Sequence, residues 1–383
     1  MGTHRDQFNK VEYGVVGNHM ERGSVNMKQL IGILLDWATF KGIPRGKTGY
    51  ESLRMYNKAA NQLLLQPFYM TLNTIKGKTA LGYTLHGRRY RLVRHTIPGV
   101  THNRDITVSK ANSSKLSKLA ESTILYNRIN RFSKHRIHRI LLTNSELAKL
   151  LPHTVAYSKL NLERLMFNHS TLFIKPTKGS VGDGIVKITK KNGGLWEIHL
   201  KKGKPLRKSI KQTQAFLRNF IGNRTYIIQE AIPLALYKKR PYDLRVSVQR
   251  GADGHWKITG MVGKVAAKGR HVTNVAKGGK VRRCEELFLE SGFPFIETKE
   301  AIQKSALQLA QYIGGKIPHL ADIGFDLGLD RDGNVKFIEM NARDQRITFR
   351  KAKLFQTFYK TYLTPLQYGK YLLETKKGRK GLV

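Results

Sequence analysis

The stretch from Ala321 to Arg346, ADIGFDLGLDRDGNVKFIEMNARDQR, constrains this chain more than any other. Two runs of strand-forming residues, 323–329 and 335–341, flank Asp330-Arg331-Asp332-Gly333-Asn334, and Asp-Gly between apolar runs is the strongest short signal for a β-hairpin. With Asp332 and Gly333 as the two loop residues, Asp326 lies directly across from Glu339, and Asn341 follows two residues further along the same face. A three-residue loop would slip the pairing by one and, without a compensating bulge, turn the two carboxylates to opposite faces. Opposed carboxylates have Cβ atoms about 5 Å apart and repel unless a cation sits between them. An all-oxygen set suits Mg²⁺ shared with the phosphates of a nucleotide. On this reading, replacing either carboxylate by its amide leaves the fold intact. The alternative is an exposed edge hairpin whose acids are simply solvated.

At 383 residues the chain is long enough for two or three domains. The 69 lysines and arginines against 26 acids give a formal charge of +43, which favours polyanionic company: nucleic acid, anionic envelope polymers, acidic peptides or nucleotides. No helix-turn-helix or zinc-finger spacing accompanies that charge. Cys284, the single cysteine, excludes an internal disulfide and any Cys-rich metal centre, and fits a reducing compartment. His135 and His138 sit one helical turn apart among arginines and read as a solvated basic face. The start, MGTHRDQFNK, has no apolar core, and the most apolar run, 30–40, is short and carries Asp36, so a cytoplasmic protein without a membrane span is expected.

Taken in order, Gln29 to Trp37 (QLIGILLDW) reads as a buried strand or helix, and Tyr83 to Val93 as two strands around His86-Gly87. A basic helical stretch spans 132–149. Thr171 to Lys175 is a strand ending at Pro176, followed by KGSVGDG (Lys178 to Gly184) and a second alternating run, Ile185 to Ile188. Strands both enter and leave this glycine loop, so it is a hairpin flap whose N–H groups can face phosphate oxygens, and not a Walker A loop or a Rossmann turn. Residues 225–232 form an apolar strand stopped by Pro233. In Arg240 to Val248, Asp243, Arg245 and Ser247 share one face while Leu244, Val246 and Val248 share the other. That polar face either is an exposed outer surface or lines a wet site, with Asp243 orienting Arg245 through a bidentate pair. Residues 256–265 extend the sheet. Thr298 to Tyr312 is a helix whose core stripe is Ile302, Ala306, Leu309 and Ile313, closed by Gly314-Gly315. The tail from Phe349 reads as a docked amphipathic helix with a disordered basic end, or as aromatic and basic side chains that stack on nucleic acid.

Tyr126-Asn127-Arg128, Lys175-Pro176, Arg240-Pro241-Tyr242-Asp243-Leu244-Arg245, Val272-Thr273-Asn274 with Gly278-Gly279, and Asp326 to Glu339-Met340-Asn341, in this order, resemble the YheC/YheD branch of the ATP-grasp proteins, described as endospore coat-associated in bacilli. The resemblance implies an α+β ATP-grasp fold, two α+β subdomains clasping a nucleotide. It places a small α/β domain at 1–123, the ATP-grasp domain at 124–350 and a basic C-terminal helix and tail at 351–383. It implies ATP and Mg²⁺ as cofactors. Lys134, Lys175 and the flap residues Lys178, Gly179, Ser180, Gly182 and Gly184 would meet the phosphates, with Asp243, Lys264 and Asn274 nearby. Gln229 and the hinge Glu230, Ala231 and Ile232 would hold adenine, and Asp326, Glu339 and Asn341 the metal. Arg245 and Asn341 would serve a carboxylate–amine ligase that works through an acyl phosphate on unidentified carboxylate and amine substrates. A protein that keeps the fold to bind ATP, spore coat or polyanion without catalysis is the competing class. After Asn341 the chain departs from the small-residue turn of the relatives, and Arg343 and Arg346 there are candidates for binding an acidic substrate.

Overall fold

The structure, a computed structural model, describes residues 28–106, 109–177, 183–200, 203–268, 273 and 278–380. The flap residues Lys178, Gly179, Ser180 and Gly182, together with Asn274, lie outside the described residues. Three sheets carry the chain. In the first, the apolar strand Gln29–Leu34 lies parallel to Leu65–Met70 on one side and Val100–Asn103 on the other, and the latter pairs with Ile124–Tyr126. A strand covered on both faces reads as an unbroken apolar run, which is why the sequence left strand and helix open here. Asp36 ends the ambiguity: its side chain accepts the N–H of Thr39 at 2.9 Å and caps the helix Trp37–Gly42. Thr79–His86 and Arg89–Thr96 form the expected hairpin, turned at Gly87-Arg88.

In the second sheet, Thr171–Pro176 pairs antiparallel with Val186–Lys190, so strands do enter and leave the glycine loop, and Tyr226–Glu230 flanks it on the other side. The third sheet runs Trp256–Val265, Arg240–Arg250, Asp322–Leu329, Val335–Asn341. One of its faces, with Leu244, Val246, Val248, Ile323, Phe325 and Leu327, packs against Ile302, Ala306, Leu309 and Ile313 of the helix Phe295–Lys316. This helix continues through Gly314 and Gly315 where a stop was expected. Gly314 serves packing: a Cβ there would lie 2.9 Å from the Trp256 indole. Among the described residues no helix is long and apolar enough to cross a membrane.

The other face of the third sheet is polar and buried. Gln249, Ser247, Arg245 and Asp243 run along the strand Arg240–Arg250, beside Asp322 and Asp326, and all are 8% exposed or less. The first sheet is joined to it by charge. Asp322 Oδ2 accepts from Arg104 at 3.0 Å and Arg346 at 2.5 Å, and Glu51 Oε1 accepts from Arg104 at 2.8 Å and Arg343 at 3.1 Å. Asn127, in the left-handed region with φ 53°, clips the hairpin to the first sheet. Its Oδ1 accepts the N–H groups of Ala321 and Asp322, and its Nδ2 donates at 2.7 Å to the carbonyls of Asp322 and Ala342. The C-terminal helix Phe355–Lys380 completes the join, placing Phe358, Tyr362, Leu366 and Leu373 in one core with Ile31, Tyr56 and Val262. The tail aromatics Phe358 and Tyr362 are therefore packing residues and unavailable to stack on bases.

The Glu51 carboxyl is the sensitive point of the join. Burial pushes its pKa up, but Arg104, Arg343 and Arg346 outweigh burial and hold it at about 2, below the unfolded value of 4.5. A carboxyl depressed in the folded state adds stability above pH 4.5 that is lost as pH falls toward 2. Glu51→Gln should cost about 3 kcal/mol in urea unfolding at neutral pH, because it strands buried guanidinium groups. The gap between variant and wild type should close as the pH is lowered through that window.

Candidate functional site

The hairpin reaches the expected opposition by an unexpected route. Its turn is not a two-residue Asp332-Gly333 loop. Asp330 takes over with its side chain, accepting the N–H of Asp332 at 3.0 Å and of Asn334 at 2.8 Å, while Gly333 adopts φ 81° and donates to the Asp330 carbonyl. The loop is thus Arg331-Asp332-Gly333, a three-residue turn with glycine in the left-handed position. From it the ladder runs Leu329–Val335, Gly328–Lys336, Leu327–Phe337, a register that would put the carboxylates on opposite faces. Ile338 is then bulged out, and beyond it Asp326 pairs with Glu339, Phe325 with Met340 and Gly324 with Asn341. Asp326, Glu339 and Asn341 share one face because two offsets cancel.

Asp326 is not left to repel Glu339. Its Oδ1 meets Arg245 Nε at 2.8 Å and Lys264 Nζ at 2.9 Å. Burial pushes the Asp326 carboxyl up, yet Arg245 and Lys264 hold it well below the carboxylate range. Asp243 does not orient Arg245: directly across the ladders, Asp243 opposes Lys264 and Arg245 opposes Asp326. Asp243 accordingly takes Lys264 at 3.0 Å and the Thr273 hydroxyl, while the second carboxylate on Arg245 is Asp344, 3.0 Å from Nη1. Asp344, fully buried, also accepts from Ser247. It has room only because residue 324 is glycine, where a Cβ would fall 2.3 Å from Asp344 Oδ1. Glu339 is about one-third exposed and pairs with Lys134. Lys175 donates to Gln229 Oε1, and Gln229 donates to Thr154 at 2.8 Å. Burial and the neighbouring Lys134 bring the Lys175 ammonium down to about 8 against the pull of Glu339.

These side chains line one cavity of about 410 Å³. Lys134, Lys175, Gln229, Glu230, Ile232, Asp243, Arg245, Lys264, Asp326, Glu339 and Asn341 all reach it. Ala231 and Gly184 do not: the Ala231 N–H is spent on the Thr171 carbonyl at 3.1 Å, and Gly184, with φ 73°, turns beside Tyr226 and Pro176. Glu230 is fixed by the His153 N–H at 3.0 Å and lies 3.3 Å from the His169 imidazole. His138 is not on a solvated face; it is buried beside Ile137 and Leu141 and lines the cavity. Arg346 is likewise withdrawn from any substrate, sealed against Asp322 with its guanidinium 4.3 Å from the Tyr362 ring centre. Arg343 bridges to Glu51. The sequence reading missed Phe132, Phe173, Thr348 and Lys351 as lining residues and Asp344 as the holder of Arg245. An acid in a turn otherwise crowded with arginines was the one available signal for Asp344.

The donor set fits a hard cation. Asp326 and Glu339 present oxygens from opposed positions, and the pairs on Asp326 use Oδ1 and that on Glu339 uses Oε1, so neither Oδ2 nor Oε2 enters them. The Asn341 carboxamide has an Nδ2 that is buried without a hydrogen-bond partner.

A family model described as YheC/D-like ATP-grasp matches residues 123–372. The endospore coat-associated protein YheD of Bacillus subtilis (strain 168) is 27% identical over 250 residues, 63% of this chain and 55% of that protein, so the chain matches about half the length of that relative. Endospore coat-associated protein YheC of the same organism is 20% identical over 333 residues, 83% of this chain and 89% of YheC. Among solved structures, D-cycloserine synthetase DcsG matches with a TM-score of 0.53 at 9% identity, over 88% of this chain and 99% of its own. The ATP-grasp ligase PsnB complexed with minimal precursor matches with a TM-score of 0.50 at 13% identity, over 85% of this chain and 95% of its own. At such identities the likeness is one of fold, and the fold is the α+β ATP-grasp fold.

The two carboxylates are not equivalent, contrary to the expectation that either amide leaves the fold intact. Asp326→Asn leaves Arg245 and Lys264 buried without their shared charge and should destabilise by about 3 kcal/mol. Glu339→Gln removes a partly exposed pair and should cost about 1 kcal/mol or less. Thermal unfolding of the two variants checks the asymmetry.

Proposed function

The chain belongs to the YheC/D-like ATP-grasp family, and from that premise we propose that it is an ATP- and Mg²⁺-dependent carboxylate–amine ligase. The observation that carries this reading is that Asp326, Glu339 and Asn341 share a strand face in one cavity that Lys175, Gln229, Glu230 and Ile232 also line. Glu230 and Ile232, with the apolar Phe173, Ile227 and Leu234, would take the base. Lys175, whose ammonium faces a neutral amide, and Lys134 would take the phosphates. Asp326, Glu339 and Asn341 would hold Mg²⁺, which neutralises phosphate charge and orients the γ-phosphoryl group. Arg245 is held rigid between Asp326 and Asp344 and would offer its remaining N–H groups to the charge that develops on transfer.

In this reaction a substrate carboxylate attacks the γ-phosphorus and ADP leaves with the electrons of the broken P–O bond. An amine then attacks the carbonyl carbon of the acyl phosphate, inorganic phosphate departs and the amine loses a proton. The protein's part is alignment and charge compensation. The charge of +43 further supports salt-sensitive association with polyanions, and the relatives' names support a place at the spore coat.

Incubation with ATP, Mg²⁺ and pools of amino acids and acidic peptides should give substrate-stimulated release of ADP and phosphate. Background release across broad pools, with Mg–ADP still bound, would reassign the chain to the non-catalytic binding class. The Lys175 ammonium adds a pH signature. Its protonated form is the one that attracts phosphate, so the calorimetric affinity for Mg–ADP should be level below pH 8 and decline above it. Lys175→Met should lower the affinity and erase that decline; an unchanged decline in the variant would remove Lys175 from the phosphate site.

A further inference from the structure

All five residues from Phe337 to Asn341 line the cavity, which therefore follows this strand for about 13 Å. At the Phe337 end its N–H donates at 2.7 Å to Leu150, close in sequence to His153, whose carbonyl accepts from Glu230 of the hinge. At the Asn341 end the chain passes into the short helix Ile347–Lys351, which supplies Thr348 and Lys351 to the cavity wall. We propose that this second end binds an anionic group of the substrate, a carboxylate other than the reacting one, through Lys351, Thr348 and the Asn341 amide. The inference rests on the nucleotide-dependent ligase reading and adds the substrate class to it.

Three observations converge on this end. Of the lysines and arginines that line the cavity, Lys134, Arg245 and Lys264 are each paired with a carboxylate. Lys175 makes no salt bridge among the described residues, donating to the Gln229 amide and lying over the Phe173 ring, and Lys351 has no partner among the described residues. Two cations without a salt bridge thus face one cavity, and a nucleotide accounts for the first only. Next, Thr348 is 6% exposed and its hydroxyl is buried without a hydrogen-bond partner, although a threonine in a helix ordinarily spends it on a carbonyl of the preceding turn. Asn341 Nδ2 is orphaned in the same way. Buried donors left unpaired call for a partner that the protein does not supply. Last, Thr348 and Lys351 are three apart and so share a helix face.

One ammonium, one hydroxyl and one carboxamide N–H make a set with a single positive charge, which suits a planar monoanion; a phosphate would leave its second charge unmatched. Asn341 can serve both neighbours at once, with Oδ1 on the metal and Nδ2 on the carboxylate. Arg343 and Arg346, between Asn341 and this helix, are already committed to Glu51 and Asp322.

The test uses the full chain with Mg–ADP and four probes, glutarate, L-aspartate, L-glutamate and alanyl-glutamate, each offered as the free acid and as the amide of one carboxylate, with binding read by ligand-observed NMR. The expected result is that at least one free acid binds and its amide binds roughly tenfold or more weakly. Lys351→Ala should weaken that acid by roughly tenfold to a hundredfold, the worth of one charge-assisted hydrogen bond. Thr348→Val should weaken it several-fold, Lys351→Arg should restore most of the binding, and the affinity for Mg–ADP should stay at the wild-type value in all three variants. Lys351 is exposed, so its loss should not disturb folding, and an unchanged unfolding midpoint verifies this. Acids and amides that bind alike, or no acid bound while Mg–ADP still binds, would overturn the proposal and leave water as the partner of these donors. Loss of Mg–ADP binding by the wild-type chain would instead overturn the ligase reading beneath it.

Discussion

A single extra residue, Ile338, decides whether this chain has a site at all. Side chains alternate along a strand with a period of two, so any one-residue slip in an antiparallel ladder exchanges its faces. The turn that Asp330 builds makes such a slip, and the bulge at Ile338 makes a second that cancels it. Beyond the bulge, Glu339 and Asn341 return to the face of Asp326, and the cavity that follows this strand acquires its acidic floor. Bulges that re-aim side chains beside functional sites are a recurring device.

Placing that floor inside the protein creates an electrostatic problem, which the neighbouring strand solves. Asp326, Asp344 and Asp243 would be prohibitively costly as isolated buried anions, but Arg245 and Lys264 stand directly across the ladders. The same arrangement repeats one layer deeper, where Arg104 and Arg346 neutralise Asp322 and Glu51 and tie the first sheet to the hairpin. The large positive excess of the chain is therefore not housed in this interior, where each of the named cations is paired with an acid; among the described cavity residues, lysines without a salt bridge are Lys175 and Lys351. A rigid, internally paired platform carrying two lysines without a salt bridge suits the binding of anions whose charge must be met without rearrangement of the protein.

Much of this was legible in the sequence, because it followed from short-range rules. Strand alternation alone separated Asp243, Arg245 and Ser247 from Leu244, Val246 and Val248, and the strands flanking the glycine loop identified a flap and not a helix-opening loop. The opposition of Asp326 and Glu339 was legible in outcome but not in route: an Asp-Gly pair suggests a two-residue turn, and nothing local reveals that the side chain of Asp330 will outcompete it or that Ile338 will bulge. The partners of Arg245 were illegible for a different reason. A carboxylate two residues along the same strand looks close in sequence, but the cross-strand position is nearer in space, and the register of three strands is a long-range property. Arg346 and His138 show the same limit: one reads as substrate-facing and the other as solvated until Asp322, Tyr362 and the helix face that buries His138 are known. Lys351 and Thr348 matter only because Asn341 leads the chain straight into their helix.

The account turns on the claim that Asp326, Glu339 and Asn341 form one metal site facing a nucleotide's phosphates. Crystals grown with Mn²⁺ and a non-hydrolysable ATP analogue, measured at a wavelength where manganese scatters anomalously, test it most directly. The account predicts an anomalous peak about 2.1 Å from carboxylate oxygens of both Asp326 and Glu339 and from Asn341 Oδ1, with the phosphates against Lys175. A manganese peak elsewhere, with Asp326 still held only by Arg245 and Lys264 and Glu339 only by Lys134, would contradict it.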